Sequence, residues 1–166
     1  PSQWHAASIA LDAAETHHAL RVLRIRDGEP VELFDGRGRT AKAVLRTGAG
    51  TRRAASAFVE PVESPPWIAP PPVFITLLQA IPKARRMDLV VEKATELGAM
   101  RIIPVQTERV VASPDEIRGG ERRERWARLA VNAARQCATA WLPEVDEPRS
   151  LADALAVVDD GQPLFV

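Results

Sequence analysis

The residues best placed for chemistry follow a short apolar segment in the second half of the sequence. The group Gln106–Arg109 comes directly after Ile102–Val105, which has the composition of a buried strand. Ligands bind at the carboxyl edge of parallel strands in open α/β sheets, and a guanidinium there can stabilise an anion. We therefore select Arg109 as a candidate functional residue. The alternative is a structural ion pair between Arg109 and its neighbour Glu108.

A second group of polar side chains lies on a long helix predicted over Glu121–Ala138. Its polar strip consists of Asn132, Arg135, Gln136 and Thr139. Amide side chains among small residues can line a site, so Gln136 is a candidate, although such a strip is otherwise an ordinary solvent-facing surface. The apolar face consists of Trp126, Leu129, Ala130, Ala133 and Cys137. We predict from that face that Cys137 is a buried packing residue rather than a nucleophile.

Cationic residues near the N-terminus have the side-chain types that bind phosphate. Asp12 and Glu15 have the spacing of a capping box, which predicts a helix that begins at Asp12 and continues through Arg24. His17, Arg21 and Arg24 have i, i+4 and i+7 spacing on this helix, so they would share one face. Guanidinium groups form paired hydrogen bonds with phosphate oxygens, which indicates a nucleic-acid ligand. The alternatives are an ordinary solvated face and a genome that favours arginine codons.

The composition indicates a globular protein with polarised charge. The 166 residues carry 22 basic and 22 acidic side chains. Residues 83–135 hold 12 basic and 8 acidic side chains, whereas residues 136–166 hold 1 and 6. One cysteine excludes an internal disulfide, and with three histidines it forms no metal-binding motif. Because the sequence has neither an apolar segment of about 18 residues nor a signal-like N-terminus, it predicts a soluble, cytoplasmic protein.

The elements that would position the first polar group form a strand, a helix and a second strand. Val73–Leu78 is an almost continuous apolar run, typical of a strand buried on both faces in a parallel sheet. The helix that follows has an apolar stripe of Met87, Val90, Val91, Ala94 and Leu97. Gly98 is placed to end this helix, and Ile102–Val105 is the second strand of the unit.

The N-terminal part predicts an all-β module over residues 1–60. Val31–Phe34 and Thr40–Leu45 alternate apolar and polar residues and are joined by an Asp-Gly turn, which is a strong hairpin signal. Short strands with tight turns are typical of a small barrel or sandwich. Arg37 and Arg39 lie in the hairpin turn, where they could reach a nucleic-acid backbone.

A proline-rich segment, residues 61–72, separates this module from an α/β domain predicted over residues 73–166. Its six prolines surround Trp67 and exclude a helix, so we predict a stiff, extended linker. Leu151–Val158 predicts a helix and Leu164–Val166 the start of a third strand. Because the sequence stops there and does not begin with Met, we expect a fragment of a longer protein.

Several sequence blocks resemble one enzyme family. They are HHALRVLR, VELFDGRG, IPKARRMDLVVEKATELG, IIPVQTERVV and RWARLAVNAARQC, the last followed closely by LPEV. This pattern is similar to that of the RsmE family, bacterial SPOUT-class methyltransferases that modify N3 of a uridine in 16S ribosomal RNA of the small subunit. The resemblance implies a PUA-like RNA-binding β-barrel, an α/β domain with a trefoil knot, a homodimer, and S-adenosylmethionine as cofactor. The family's glycine-rich GPEGG loop, which holds the cofactor, would lie beyond Val166.

The resemblance also implies roles for individual residues. Methyl transfer to N3 requires that the proton of this nitrogen be removed or its anion favoured, which makes Arg109 and Gln136 the catalytic candidates. Only Gln136 and Cys137 match the family's Glu-Gln-Ser/Cys-Gly-Arg block. Candidate RNA contacts are Arg21, Arg24, Arg26, Arg37, Arg39, Lys83, Arg85 and Arg86, and no metal is expected. The alternative is a non-catalytic RNA-binding module whose α/β part serves dimerisation or ribosome docking.

Overall fold

The structure is a computed structural model that describes residues 6–48, 56–63, 66–83, 85–107 and 119–158. The chain divides into two compact units, Pro1–Ala69 and Pro70–Val166. The division falls inside the proline-rich segment 61–72, whose role as a linker stays a prediction. The strand predicted over Leu164–Val166 lies outside the described residues.

The first unit contains an antiparallel sheet of four strands in the order β1-β4-β3-β2. The strands are β1 (Ile9–Ala10), β2 (Pro30–Phe34), β3 (Thr40–Thr47) and β4 (Ala57–Pro61). Strand β3 defines the inner face, because Ala41, Ala43 and Leu45 are buried while Lys42 between them is exposed. The antiparallel pairing of β2 with β3 confirms the predicted hairpin. The core combines Ala19, Ala43, Leu45, Ala57 and Val59 with the partly buried Ile9, Leu11, Leu20, Ile25, Val31 and Leu33.

The N-terminal helix begins as predicted but changes type after little more than one turn. Helix α1 spans Ala13–His17, and the Glu15 N–H donates to Oδ1 of Asp12 at 2.8 Å, which confirms the predicted N-terminal cap. The chain then forms a π-helix over His18–Val22. Short π segments widen the helical turn, so the α-helical register is lost beyond His17.

Arg24 lies outside the helix, although the sequence predicted that the helix would continue to this residue. Its φ of 58° is left-handed, so the predicted stripe of His17, Arg21 and Arg24 at α-helical spacing is wrong. The Ile25 N–H instead donates back to the Ala19 carbonyl of the π-helix at 3.0 Å, and the Ile25 side chain packs against the core. Burial of Ile25 therefore outweighs continuation of the helix.

The hairpin tip of the first unit is held by hydrogen bonds to one carboxylate and to the proline-rich segment. Oδ1 of Asp35 accepts from the backbone N–H of Arg37 at 2.7 Å and of Arg39 at 3.1 Å. The Ile68 N–H donates to the Gly38 carbonyl at 2.6 Å, and Trp67 forms an antiparallel bridge with Arg39. Part of the segment predicted as a linker thus packs against the hairpin turn between β2 and β3.

The second unit contains a parallel sheet in which β6 is central. Strands β5 (Thr76–Ala80) and β6 (Arg101–Gln106) pair in parallel, and the short strands β7 (Glu144–Val145) and β8 (Arg149–Ser150) pair with the other side of β6. Strand β5 begins later than the predicted Val73. Its pairing starts where Thr76 meets Arg101, and the preceding apolar residues Val73, Phe74 and Ile75 are exposed.

Helices α2 (Arg86–Glu96), α3 (Gly119–Cys137) and α4 (Leu151–Ala156) complete the second unit. The main core joins α2, α3 and the sheet through Ile81, Met87, Val91, Ala94, Ala99, Ile102, Trp126, Ala130 and Val145. Gly98, with a φ of 82°, follows the end of α2, as predicted. Leu97 is 82% exposed, so its predicted place in the apolar stripe is wrong.

Cys137 is exposed, which contradicts its predicted burial. The physical reason is the difference in helix length. At 1.5 Å per residue, the 19 residues of α3 extend about 28 Å, whereas the 11 residues of α2 extend about 16 Å. The last turn of α3 therefore extends past α2 and is not covered by it. The spacing of apolar residues along α3 cannot show where the cover by α2 ends.

Candidate functional site

The carboxyl edge of the parallel sheet brings together the ends of three strands, and two of them, β6 and β8, carry polar residues there. Ala80 at the end of β5 is the register partner of Val105, and Ser150 of β8 is the partner of Gln106. Gln106 and Thr107 are exposed at this edge. Since ligands bind at the carboxyl edge of open α/β sheets, this edge is the candidate site.

Three of the predicted cationic contacts lie at this same edge. Helix α2 begins here because it follows β5, so exposed Lys83, Arg85 and Arg86 lie at its N-terminus. Backbone N–H groups at a helix N-terminus favour anions, and the three cations increase that preference. The edge therefore combines hydrogen-bonding side chains with positive charge, as an anionic substrate requires.

Arg109 and Glu108 lie outside the residues that the structure describes. Arg109 follows Thr107 by two positions in the sequence, so its assignment to the carboxyl edge rests on chain order. Its catalytic role stays a prediction, and the ion pair with Glu108 stays the alternative.

Gln136 belongs to a different place in the unit. It is exposed in the last turn of α3, which runs back from the carboxyl edge. Strand β7 follows α3, and its Glu144 pairs with Arg101 at the amino end of β6. Within one chain, the topology therefore separates Gln136 from Gln106 by the length of the sheet. Its predicted catalytic role is untested.

The cationic candidates of the first unit occupy two places. Arg21, Arg24 and Arg26 are exposed in and after the π-helix, and Arg37 and Arg39 lie at the hairpin tip, where Arg37 is exposed and Arg39 half-buried. The left-handed backbone at Arg24 is a strained conformation for a residue with a side chain, and such strain is concentrated at functional sites.

Other charged groups of the first unit are engaged in an ion pair or in a hydrogen bond to the backbone. Nε of Arg46 lies 2.8 Å from Oε2 of Glu60, and this hydrogen bond raises the pKa of the Arg46 guanidinium. The carboxylate of Asp27 accepts from the backbone N–H of Thr47 at 2.7 Å, which lowers the pKa of Asp27. Their polar groups are engaged within the unit, so they are not among the candidate RNA contacts.

The sequence did not reveal a buried carboxylate that joins two arginines. The Asp146 side chain is 3% exposed, and its oxygens accept from Nη2 of Arg101 at 2.8 Å and Nη2 of Arg149 at 2.9 Å. A third bond, from Nε of Arg101 at 3.1 Å, makes the first pair bidentate. The hydrogen bond to Asp146 raises the pKa of Arg101. The cluster fixes the segment between β7 and β8 to the central strand.

Two other kinds of feature, a membrane-spanning helix and a cluster of metal-binding side chains, are absent from the described ranges. No helix there is long and apolar enough to cross a membrane. No group of three or more His, Cys, Asp or Glu side chains could hold a metal ion in the part of the chain that the structure describes.

The antiparallel module followed by a parallel α/β unit places the chain in a class of proteins with two domains, and each of the two domains matches a family model. A family model described as an RNA methyltransferase domain matches residues 69–166, and one described as an RNA methyltransferase PUA domain matches residues 11–49. The chain belongs to this RNA methyltransferase family, in which its relatives are ribosomal RNA small subunit methyltransferases E.

Relatives support this assignment along most of the chain. The Mycobacterium tuberculosis ribosomal RNA small subunit methyltransferase E is 40% identical over 141 residues, which is 84% of this chain and 52% of the relative. The Synechocystis protein of the same name is 33% identical over 149 residues, 89% of this chain and 46% of the relative. This chain thus spans about half the length of these curated relatives.

A solved structure supports the fold. The ribosomal RNA small subunit methyltransferase E from Neisseria gonorrhoeae, bound to S-adenosyl methionine, aligns with a TM-score of 0.79 at 30% identity. The alignment covers 92% of this chain and 61% of that chain. The predicted fold class, a PUA-like β module followed by an α/β domain of SPOUT type, is confirmed.

Proposed function

We propose that the protein containing this sequence uses S-adenosylmethionine to methylate N3 of a uridine in 16S ribosomal RNA. The observation that carries the proposal is the match of residues 69–166 to the RNA methyltransferase domain model. The relatives named ribosomal RNA small subunit methyltransferase E support a ribosomal substrate. The carboxyl edge with Lys83 and Arg86 supports an anionic one. The cytoplasm as location and a homodimer as assembly belong to the same proposal.

The chemistry depends on the state of the uracil imide. S-adenosylmethionine supplies an electrophilic methyl group, whereas N3 carries a proton at neutral pH and is a weak nucleophile until that proton is lost. Loss of the proton leaves negative charge on the two flanking oxygens. Hydrogen-bond donors directed at those oxygens favour the reactive form, so positioning and electrostatics supply most of the rate enhancement.

The described carboxyl edge suits part of the cofactor. Exposed amide and hydroxyl groups of Gln106 and Thr107 can bond to ribose and amino-acid groups, which is how polar side chains fix the orientation of such ligands. The principal cofactor contacts are expected from a glycine-rich segment beyond Val166.

Calorimetric titration of S-adenosylmethionine tests this division of the site. We expect no detectable heat with the chain as given and clear binding with a chain extended past Val166 on the pattern of its relatives. Binding by the given residues alone would contradict the expectation, and the cofactor contacts would then lie near Gln79 and Gln106. No binding by either chain would contradict the methyltransferase proposal.

Methylation is tested with the extended chain and small ribosomal subunits from cells that lack the modification. A methyl group on N3 removes the imino donor used in base pairing, so reverse transcription is expected to stop at the modified uridine. Incorporation of the methyl group without such a stop would contradict N3 as the acceptor. Subunits that bind the protein but remain unmethylated after incubation with S-adenosylmethionine would support the non-catalytic binding module.

The double variant Arg21→Gln, Arg24→Gln is expected to weaken RNA binding and its salt dependence. Each lost phosphate contact lowers the slope of log affinity against log salt by about 0.7 to 0.9, so the pair is expected to lower it by about 1.5. Fluorescence anisotropy at several salt concentrations measures this slope. Lys42→Gln, another exposed cation of the same unit, is the control. An unchanged slope in the double variant would remove both arginines from the interface.

A further inference from the structure

Trp67 is an exposed aromatic side chain fixed at the hairpin tip of the first unit. It is 60% exposed, although the segment that carries it is tied to the tip. The Trp67–Arg39 bridge and the bond from the Ile68 N–H to the Gly38 carbonyl hold its backbone on one side. The preceding residue is Pro66, whose own φ is fixed by its ring. The ring is thus presented to solvent on an ordered backbone.

The charges around the ring select the kind of ligand. Residues directly opposite each other in an antiparallel pair have Cβ atoms about 4.5 to 5.5 Å apart, so the side chains of Trp67 and Arg39 are neighbours. Exposed Arg37 lies in the same turn. The one acidic group of this turn, Asp35, accepts hydrogen bonds from the backbone N–H groups of both arginines. An aromatic face beside two guanidinium groups suits a ligand that is both planar and anionic.

A nucleotide has this combination of properties. Unpaired bases stack on exposed aromatic rings, and arginines beside the ring contact the backbone phosphates. Bases within a duplex have no free face, so such a site would select single-stranded segments, loops or bulges. An apolar side chain of a protein partner would also pack against the ring. Such a partner would need acidic side chains as well, to pair with the two guanidinium groups.

We propose that Trp67 stacks on an unpaired base of the bound RNA while Arg37 and Arg39 contact the adjacent phosphates. The proposal rests on the proposed function and adds to it the form of the substrate, a single-stranded nucleotide at the hairpin tip. Stacking and phosphate contact have different salt dependence, because only the phosphate contact releases counterions. This difference separates the role of the ring from that of the arginines.

The proposal is tested by measuring the binding of a labelled, single-stranded, uridine-rich RNA. Its length of about 12 nucleotides lies within the range of known single-strand site sizes. We expect Trp67→Ala to weaken binding about tenfold or more with an unchanged salt slope, and Trp67→Phe to retain most of the affinity. Arg37→Gln is expected to lower the slope by about 0.7. Ile68→Ala removes the neighbouring exposed apolar side chain, which lacks an aromatic face, and is the matched control that is expected to bind as the parent does.

Tryptophan emission gives a second, local readout. A base stacked on Trp67 is expected to quench the emission of the parent chain, and Trp67→Phe is expected to lose this quenching while still binding RNA. Unchanged affinity of Trp67→Ala, or quenching that persists in Trp67→Phe, would overturn the proposal. If the arginine variants still weaken binding in that case, only the stacking by Trp67 is overturned, and the proposed RNA binding is retained. A parent chain that does not bind the RNA would overturn both proposals.

Discussion

Replacement of Asp146 by alanine is expected to lower the free energy of unfolding of the second unit by about 3 kcal/mol. Its carboxylate is 3% exposed and accepts from both Arg101 and Arg149. Removing it leaves two partly buried guanidinium groups without the acceptor that they share. Removal of one partner from a buried ion pair costs about 3 to 5 kcal/mol, and the low end applies because the arginines are 25% and 30% exposed.

The position of Asp146 makes the effect larger than the loss of one contact. Strands β7 and β8 have two residues each, and the chain between them depends on the Asp146 backbone bond to Ile102 at 3.0 Å and on the ion pairs. Strand β8 ends at the carboxyl edge beside Gln106. Loss of the cluster is therefore expected to loosen the edge that forms the candidate site.

Urea unfolding followed by circular dichroism measures the expected loss. Amide hydrogen exchange at β7 and β8 locates it, because local opening exposes those amides first. Asp146→Asn keeps the volume and one acceptor oxygen and is expected to lose less. Glu147→Ala is the matched control, since its contact with Arg123 is 3.9 Å long and half exposed, and such pairs contribute about 0 to 1 kcal/mol. Equal effects of Asp146→Ala and Glu147→Ala would refute the assigned role.

Local signals predicted the parts of the fold whose causes lie within a few residues. The cap of Asp12 on Glu15, the Asp-Gly hairpin and the turn at Gly98 depend on neighbouring backbone, and each was confirmed. Periodicity also predicted the buried faces of α2 and α3 at Met87 and Trp126. In these cases the local preference and the tertiary packing favour the same conformation.

The sequence did not predict features that depend on packing against other parts of the chain. Leu97 and Cys137 continue apolar faces but lie beyond the cover of neighbouring elements. The left-handed backbone at Arg24 follows from the burial of Ile25, which competes with helix continuation. Asp146 and Arg101 are 45 residues apart, and no local pattern pairs them.

The sequence predicted the position of some residues of the candidate site but not of others. The rule for parallel strands correctly placed Gln106 and Thr107 at a carboxyl edge, because strand direction follows from the strand, helix and strand order. It gave no position for Gln136, since that depends on the direction in which α3 returns. Trp67 was read as part of a linker because its partner, Arg39, belongs to a turn more than twenty residues earlier.

In a chain extended past Val166, Arg109→Ala is expected to lower kcat for methyl transfer by about 10²-fold to 10³-fold, the cost of removing one donor that stabilises a developing anion. The reason is the charge that appears on the uracil oxygens when N3 loses its proton. Affinity for S-adenosylmethionine and for RNA is expected to change little, because the interaction strengthens as the anion forms. Single-turnover kinetics with tritiated cofactor measure the effect.

The pH dependence distinguishes this role from the ion pair with Glu108. If Arg109 favours the N3 anion, the rate of Arg109→Ala is expected to recover as pH rises, because solvent hydroxide then removes the proton that the guanidinium made acidic. A structural pair would instead make Glu108→Gln and Arg109→Ala equally harmful to stability, with a double variant no worse than either, and would leave the pH profile unchanged. Arg109→Lys is the most informative substitution, since it keeps the charge that an ion pair needs but removes the planar fork that could bond a uracil oxygen and a second acceptor together.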